Sequence, residues 1–107
     1  MLGLFAKKEM NDEAAKAFWS WFADNEEWII ANIKTNGMQV VLAVDAQLKP
    51  VFPYFKKELE FQMGYNNGVG EFFFFHLGNK YLMRDGETLG SMMPEKLKGN
   101  WKFIIEA

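Results

Sequence analysis

The chain contains no cysteine and only one histidine, His76. Without thiols, the sequence excludes disulfide bonds, thiolate catalysis and cysteine-ligated zinc or iron–sulfur sites. A transition-metal site would also lack ligands, because a single imidazole is available. We therefore expect neither a metal nor a cofactor, and the missing disulfides favour a cytoplasmic location.

Long apolar runs and concentrated basic segments are also missing. No stretch approaches the ~20 apolar residues that cross a bilayer, and the opening MLGLFAKKE does not have the pattern of a secretory leader. Twelve Lys and Arg stand against fourteen Asp and Glu, and the lysines are dispersed along the chain. A nucleic-acid-binding face normally concentrates its basic residues. We therefore expect no membrane partner and no nucleic-acid partner.

Aromatic residues are abundant: eleven Phe, four Trp and three Tyr occur in 107 residues. Each large ring can bury about 200 Å² of surface, so a folded monomer is feasible without disulfides or metal. The length fits one domain. We predict a loose lead-in over residues 1–10 and a single α+β domain over residues 11–107.

A long first helix is predicted from Glu13 to Lys34, with Asn11 or Asp12 as its cap. Its apolar residues recur at helical spacing and are Ala15, Phe18, Phe22, Ile29 and Ile33. Trp21 and Trp28 lie on one flank of this stripe, so the apolar arc is wider than one partner element usually covers.

The segment after Gly37 has two interpretations. Val40–Val44 is rich in β-branched residues, which favours a buried strand. Val41, Val44 and Leu48 also recur at helical spacing, which favours a helix from Gly37 to Lys49 ended by Pro50. We favour the helix, and the strand stays open as the alternative.

A β-hairpin is predicted next. Residues 58–65 alternate apolar and polar side chains, residues 66–70 have turn composition, and residues 71–77 return as a second strand. The second strand contains Phe72–Phe75, which is apolar on both faces. Such a strand needs cover on both of its faces.

A third helix and a last strand complete the prediction. Asn79 can cap the helix, while Gly86 and Gly90 predict an irregular one and Asp85–Glu87 reads as a turn or a distorted helical turn. Trp101–Glu106 is the last strand, in a sheet that is either mixed or antiparallel. A right-handed crossover through the third helix would set this strand parallel to the second. The predicted order is α-α-β-β-α-β, an α+β fold with a small three-stranded sheet packed against helices.

Several segments together resemble a known group of proteins. The run Phe18-Trp19-Ser20-Trp21-Phe22, with Asn25-Glu26 after it, resembles the opening helix of small uncharacterised bacterial α+β proteins. In those proteins a strand hairpin follows, and a helix, a proline and a Trp-containing strand close the chain. Their counterparts here are Leu59-Glu60-Phe61, Phe72–Phe75, Leu89 to Pro94, and Trp101-Lys102-Phe103. The resemblance covers roughly residues 12–106 and implies the element order; because the group has no established activity, it implies no site residues.

Few residues suggest catalysis. Glu58 and Glu60 share a strand face about 7 Å apart, a spacing that a hydrolase with paired carboxylates could use. We favour the interpretation that they form a solvated face. The carboxylate nearest to His76 in sequence is Glu71, which falls on the opposite strand face. We therefore interpret His76 as a strand-end histidine that contacts solvent or a backbone group.

The functional prediction depends on the large number of aromatic residues. We predict a non-enzymatic protein-interaction or self-association domain that forms a homo-oligomer or binds another protein. Its possible interface residues are Trp21, Trp28, Phe73 and Phe75. The alternatives are a tightly filled core between two helical layers, a small hydrolase-like enzyme using the strand carboxylates, and a binder of a small apolar ligand between sheet and helices.

Overall fold

The computed structural model describes residues 8–107, and its elements form an α+β fold, as predicted. The helices are α1 (Asp12–Asp24), α2 (Glu26–Asn32), α3 (Gly37–Leu48), α4 (Lys80–Ser91) and α5 (Glu95–Lys98). The strands are β1 (Glu60–Asn66), β2 (Val69–Phe75) and β3 (Trp101–Glu106). The helices outnumber those predicted, because the first predicted helix is divided and the short α5 precedes β3.

The first helix begins where predicted but is interrupted at Asn25. The side chain of Asn11 caps it by accepting a hydrogen bond from the Ala14 backbone N–H at 3.0 Å. Asn25 leaves helical geometry, with φ −110° and ψ 12°. Its amide also donates to the Trp21 carbonyl at 2.9 Å. The prediction of one continuous helix was wrong, because an asparagine amide can bond the backbone locally and interrupt the helix.

The segment after Gly37 is a helix, so the strand alternative was wrong. Val40, Val44 and Leu48 recur every fourth residue along α3, and all three are fully buried. Burial of this stripe against the other helices outweighs the strand preference of the β-branched residues. A 3₁₀ turn, Lys49–Val51, follows α3.

The sheet is mixed, so the antiparallel alternative was wrong: β1 and β2 form the predicted antiparallel hairpin, and β2 and β3 are parallel, as the crossover predicts. The order β1-β2-β3, with β2 in the centre, was not predicted. Asn67 and Gly68 form the hairpin turn with positive φ angles of 54° and 79°, as an Asn-Gly pair in such a turn requires. Strand β2 ends at Phe75 rather than at Leu77, because the φ angles of Leu77 and Gly78 are +58° and +74°.

Helix α4 begins at its predicted cap, Asn79, and runs without interruption through Gly86 and Gly90. The predicted irregularity was wrong, because these glycines lie where the helix meets the sheet. A Cβ atom on Gly86 would lie 2.9 Å from the ring of Phe74, and one on Gly90 would lie 2.8 Å from the ring of Phe103. The missing side chains therefore allow close packing of helix on sheet.

The helices cover one face of the sheet. The centre of that core is Phe72, whose ring stacks on Phe61 and Phe103 at centroid distances of 5.2 and 5.1 Å. Phe18 of α1 meets Phe72 edge-on at 6.2 Å. Cover on both faces of β2 was expected, but residues 8–107 provide it on one face only: Phe73, Phe75 and Ile104 project from the other face and lie outside the core. Helices α1 and α4 pack on the core-facing rings of the sheet, so the alternative of helical layers on both sides of the core is not found among residues 8–107.

The last strand is joined to the helices through Trp101. Trp101 of β3 is 3% exposed and donates its indole N–H to the Glu26 carboxylate of α2 at 3.1 Å. The predicted lead-in lies outside the described residues over positions 1–7, and residues 8–10 have no regular secondary structure. Among residues 8–107, no helix combines the length and the apolar character that crossing a membrane demands.

The glycine contacts lead to a stability prediction. We expect Gly86→Ala to lower the free energy of unfolding by about 1–2 kcal/mol, because the new methyl group would push on the fully buried Phe74 ring. Gly37 begins α3 with no atom within 4 Å of the position of a Cβ. Gly37→Ala should therefore stabilise by about 0.5 kcal/mol. Urea denaturation measures both, and equal effects of the two substitutions would contradict the packing argument.

Candidate interaction surface

The face of the sheet that the helices leave uncovered is the main candidate site, and we call it the open face. The open face comprises Glu60, Gln62, Gly64 and Asn66 of β1, Val69, Glu71, Phe73 and Phe75 of β2, and Lys102, Ile104 and Glu106 of β3. It exists because side chains alternate along a strand. The residues between these positions face the helices and belong to the core or pack against it.

The centre of the open face is apolar and its margins are charged. Phe73 is the register partner of Gln62 on one side and of Ile104 on the other. Phe75 lies between Glu60 and Glu106 in the same way. Laterally paired side chains lie about 5 Å apart. The central strand therefore presents two half-buried rings, and the second ring is flanked by two carboxylates.

Two surface grooves adjoin the open face near the end of β2. The first has a volume of about 560 Å³ and is lined by Lys57, Glu58, Glu60, Gln62, Phe75 and Leu77. The second has a volume of about 380 Å³ and is lined by Tyr54, Phe55, Lys56, Lys57, Leu77 and Asn79. Because the two share Lys57 and Leu77, the concave surface continues from the sheet to the segment that precedes it.

Leu77 projects at the junction of the two grooves with 48% of its surface exposed. Its φ of +58° is a left-handed conformation that bulky residues rarely adopt. The turn is held by His76, whose Nδ1 accepts from the Gly78 N–H at 3.0 Å and whose carbonyl accepts from the Asn79 N–H at 2.9 Å. His76 thus contacts a backbone group, in line with its interpretation as a strand-end histidine.

The four predicted interface residues lie in different places. Phe73 and Phe75 lie on the open face. Trp21 is partly buried and packs against the core. Trp28 is 38% exposed but belongs to α2, which packs on α1 and α3 and bonds the core residue Trp101 through Glu26. The two tryptophans therefore do not join the phenylalanines in one patch.

The predicted carboxylate pair lies at the first groove. Glu58 and Glu60 both line it, and both are exposed to water. Glu58 also lies 3.8 Å from the ammonium group of Lys49. Within the part of the chain that the structure describes, no three acidic or histidine side chains are grouped so as to hold a metal ion.

A second cluster was not predicted from the sequence. Asp85 is 5% exposed and lies within α4, so of the two interpretations of residues 85–87, a turn or a distorted helical turn, the turn outside a helix was wrong. Its Oδ2 accepts a hydrogen bond from the Tyr54 hydroxyl at 2.6 Å, and its Oδ1 accepts one from Arg84 Nε at 2.8 Å. The spacing of Leu82 and Leu89 indicates the buried side of the helix and could have located Asp85 there.

The surroundings of Tyr54 fix its protonation state. The pKa of Tyr54 is raised well above its ordinary value of 10.0, first by burial and then by the hydrogen bond to Asp85 and the charge of that carboxylate. The same carboxylate raises the pKa of Arg84 through its hydrogen bond. Tyr54 therefore stays a proton donor, and the cluster joins the segment after α3 to α4. A groove of about 370 Å³ lies beside Arg84 and Asp85.

The cluster leads to a prediction about stability and pH. Tyr54→Phe should lower the free energy of unfolding by about 1–2 kcal/mol at neutral pH, because Asp85 loses a donor. The Tyr54–Asp85 hydrogen bond contributes its full stabilisation of the folded state at pH values below the ordinary pKa of tyrosine. This stabilisation is lost as the pH rises towards the raised pKa that Tyr54 has in the folded state. The difference between wild type and variant should therefore shrink above pH 10.0. Urea denaturation at neutral and alkaline pH measures it.

The matched control is Tyr65→Phe, whose ring packs on Trp101 at 5.8 Å. The hydroxyl of Tyr65 forms no hydrogen bond within residues 8–107. Its removal should therefore leave the free energy of unfolding nearly unchanged at both pH values. A loss of stability that is equal in the two variants, or independent of pH in Tyr54→Phe, would contradict the role assigned to the Tyr54–Asp85 bond.

Leu77 leads to a further prediction. Asparagine tolerates the left-handed conformation, so Leu77→Asn should leave the free energy of unfolding unchanged or raise it by up to about 1 kcal/mol. Val69 is 40% exposed within β2 and has ordinary strand geometry. Val69→Asn should therefore destabilise by about 0.5–1 kcal/mol. Thermal unfolding measures both, and a larger loss in Leu77→Asn than in Val69→Asn would show that Leu77 is not strained.

A comparison with protein-family models, with curated proteins and with solved structures finds no match for this chain. The resemblance to small uncharacterised bacterial proteins therefore stays a prediction. What the chain does is argued below from its own surface.

Proposed function

We propose that this chain is a non-enzymatic protein-interaction domain and that the open face is its contact surface. The observation that carries the proposal is the position of Phe73, Phe75 and Ile104 on the sheet face that the helices of residues 8–107 leave uncovered. Aromatic residues in an apolar centre with a polar margin are typical of the parts of interfaces that contribute most binding energy. The partner is a second copy of the chain or another protein, and the lack of cysteine favours a cytoplasmic setting.

The chemistry of the carboxylates supports this proposal over catalysis. A general acid normally needs a carboxyl group whose surroundings exclude water, whereas Glu58 and Glu60 are exposed. Asp85 is buried, but Tyr54 and Arg84 occupy both of its oxygen atoms. A small hydrolase therefore remains the alternative only because Glu58 and Glu60 share a groove.

The grooves give limited support to an apolar ligand. Binding pockets for such ligands enclose most of the ligand surface in apolar walls. The groove beside Phe75 and Leu77 is open, and it is lined by Lys57, Glu58 and Glu60 as well. An open groove with charged walls is typical of the margin of a protein–protein interface, whereas an apolar ligand needs an enclosed apolar pocket.

The proposal is tested by removing the two rings. Phe73→Thr/Phe75→Thr keeps residues that favour strands and should abolish association without unfolding the domain. The matched control is Met38→Thr/Leu42→Thr, which alters two side chains of α3 that are 71% and 61% exposed. Sedimentation velocity over a wide concentration range reports self-association, and quantitative capture from a lysate of the source organism reports other partners.

We expect the control variant to behave as the wild type in both measurements. Circular dichroism melting curves establish that each variant is folded. A wild type that stays monomeric at near-millimolar concentration and captures the same proteins as the Phe73→Thr/Phe75→Thr variant would contradict the proposed function.

A further inference from the structure

The charges of the open face restrict which protein can bind there. The face carries Glu60, Glu71 and Glu106 against the single cation Lys102. The ion pairs formed among residues 8–107 involve none of these three glutamates. The face therefore presents negative charge that the described part of the chain does not neutralise, around an apolar centre.

The negative charge is concentrated beside Phe75. Glu60 and Glu106 are its register partners on the two neighbouring strands, so each lies about 5 Å from it. A ring between two carboxylates suits a lysine or arginine side chain, whose aliphatic part packs on the ring while its charge meets the carboxylates. Lys57 lines the same groove as Glu58 and Glu60, but the described ion pair in that groove is the one that Glu58 makes with Lys49 at 3.8 Å.

This charge pattern disfavours a second copy of the chain as the occupant. If two open faces met about a twofold axis, the interface would contain each residue twice. It would hold six glutamates and two lysines, since each face contributes Glu60, Glu71, Glu106 and Lys102. Like charges brought together at an interface cost several kcal/mol.

The size of the open face favours a single helix. The seven residues of β2 span about 23 Å, and three strands span about 14 Å across. The resulting area of about 300 Å² is much less than the ~800 Å² per partner of a standard stable interface. An α-helix with a diameter of about 10 Å covers most of such a strip when it lies along the strands.

We propose that the open face docks a basic amphipathic helix of another protein. The apolar side of that helix packs on Phe73, Phe75 and Ile104, and its lysine or arginine side chains meet Glu60 and Glu106. This inference rests on the proposed interaction function and selects the kind of partner.

The test uses two synthetic amphipathic peptides of equal length. One peptide has leucine on one side and lysine on the other, and its counterpart has glutamate in place of lysine. Titration calorimetry with the full chain should show binding of the lysine peptide that weakens as salt is added, and no binding of the glutamate peptide. Backbone chemical shifts should change at Phe73, Phe75 and Ile104.

Two charge variants locate the contact. Glu60→Gln/Glu106→Gln should raise the Kd for the lysine peptide about fivefold or more, since two charge pairs are lost. Glu13→Gln/Glu87→Gln removes the same charge from exposed positions on α1 and α4. It should change the Kd less than about twofold, as expected for screened charges away from the contact.

Several results would overturn the inference. These are equal binding of both peptides, equal loss in both charge variants, chemical-shift changes confined to the helical layer, and self-association of the wild type through the open face. In each case the proposed function is still supported if the Phe73→Thr/Phe75→Thr variant loses self-association or the binding of another protein that the wild type shows. If that variant changes no association, the proposed function itself fails.

Discussion

The whole structure depends on the two-residue period of β2 acting on a run of four phenylalanines. Alternation sends Phe72 and Phe74 to the helical side, where both are buried, and sends Phe73 and Phe75 to the opposite side. The first pair organises the core, because Phe72 contacts rings from α1, β1 and β3. The second pair creates the open face. One stretch of sequence therefore supplies both the stability of the domain and the surface on which its function is proposed.

Much of the fold could be predicted from the sequence, because local signals agreed with tertiary packing. The Asn67-Gly68 turn, the Asn79 cap and the alternation of β1 each have a mechanism that acts over a few residues. The wrong predictions concern segments whose conformation is determined by contacts with residues far away in the sequence rather than by local preferences. Gly86 weakens an isolated helix, yet in the folded chain it permits α4 to approach Phe74, and no local pattern records that approach.

The candidate surface was predictable only in part. Phe73 and Phe75 were identified because four successive rings exceed what one face can use. Their separation from Trp28 depends on the position of α2 relative to the sheet, which periodicity does not define. The buried Asp85 was missed because an acidic residue beside a glycine suggests a turn, whereas its partner Tyr54 is 31 residues away in sequence.

The parallel pairing of β2 with β3 has a kinetic consequence. Partners such as Phe72 and Phe103 are far apart along the chain, whereas the β1–β2 hairpin closes over a short turn. Contacts between distant segments form slowly, because the intervening chain must first lose entropy. We expect the hairpin to form before β3 joins it, leaving one edge of the phenylalanine-rich strand briefly without its neighbour. Aggregation during refolding would then compete with the docking of the last strand rather than with the earlier steps.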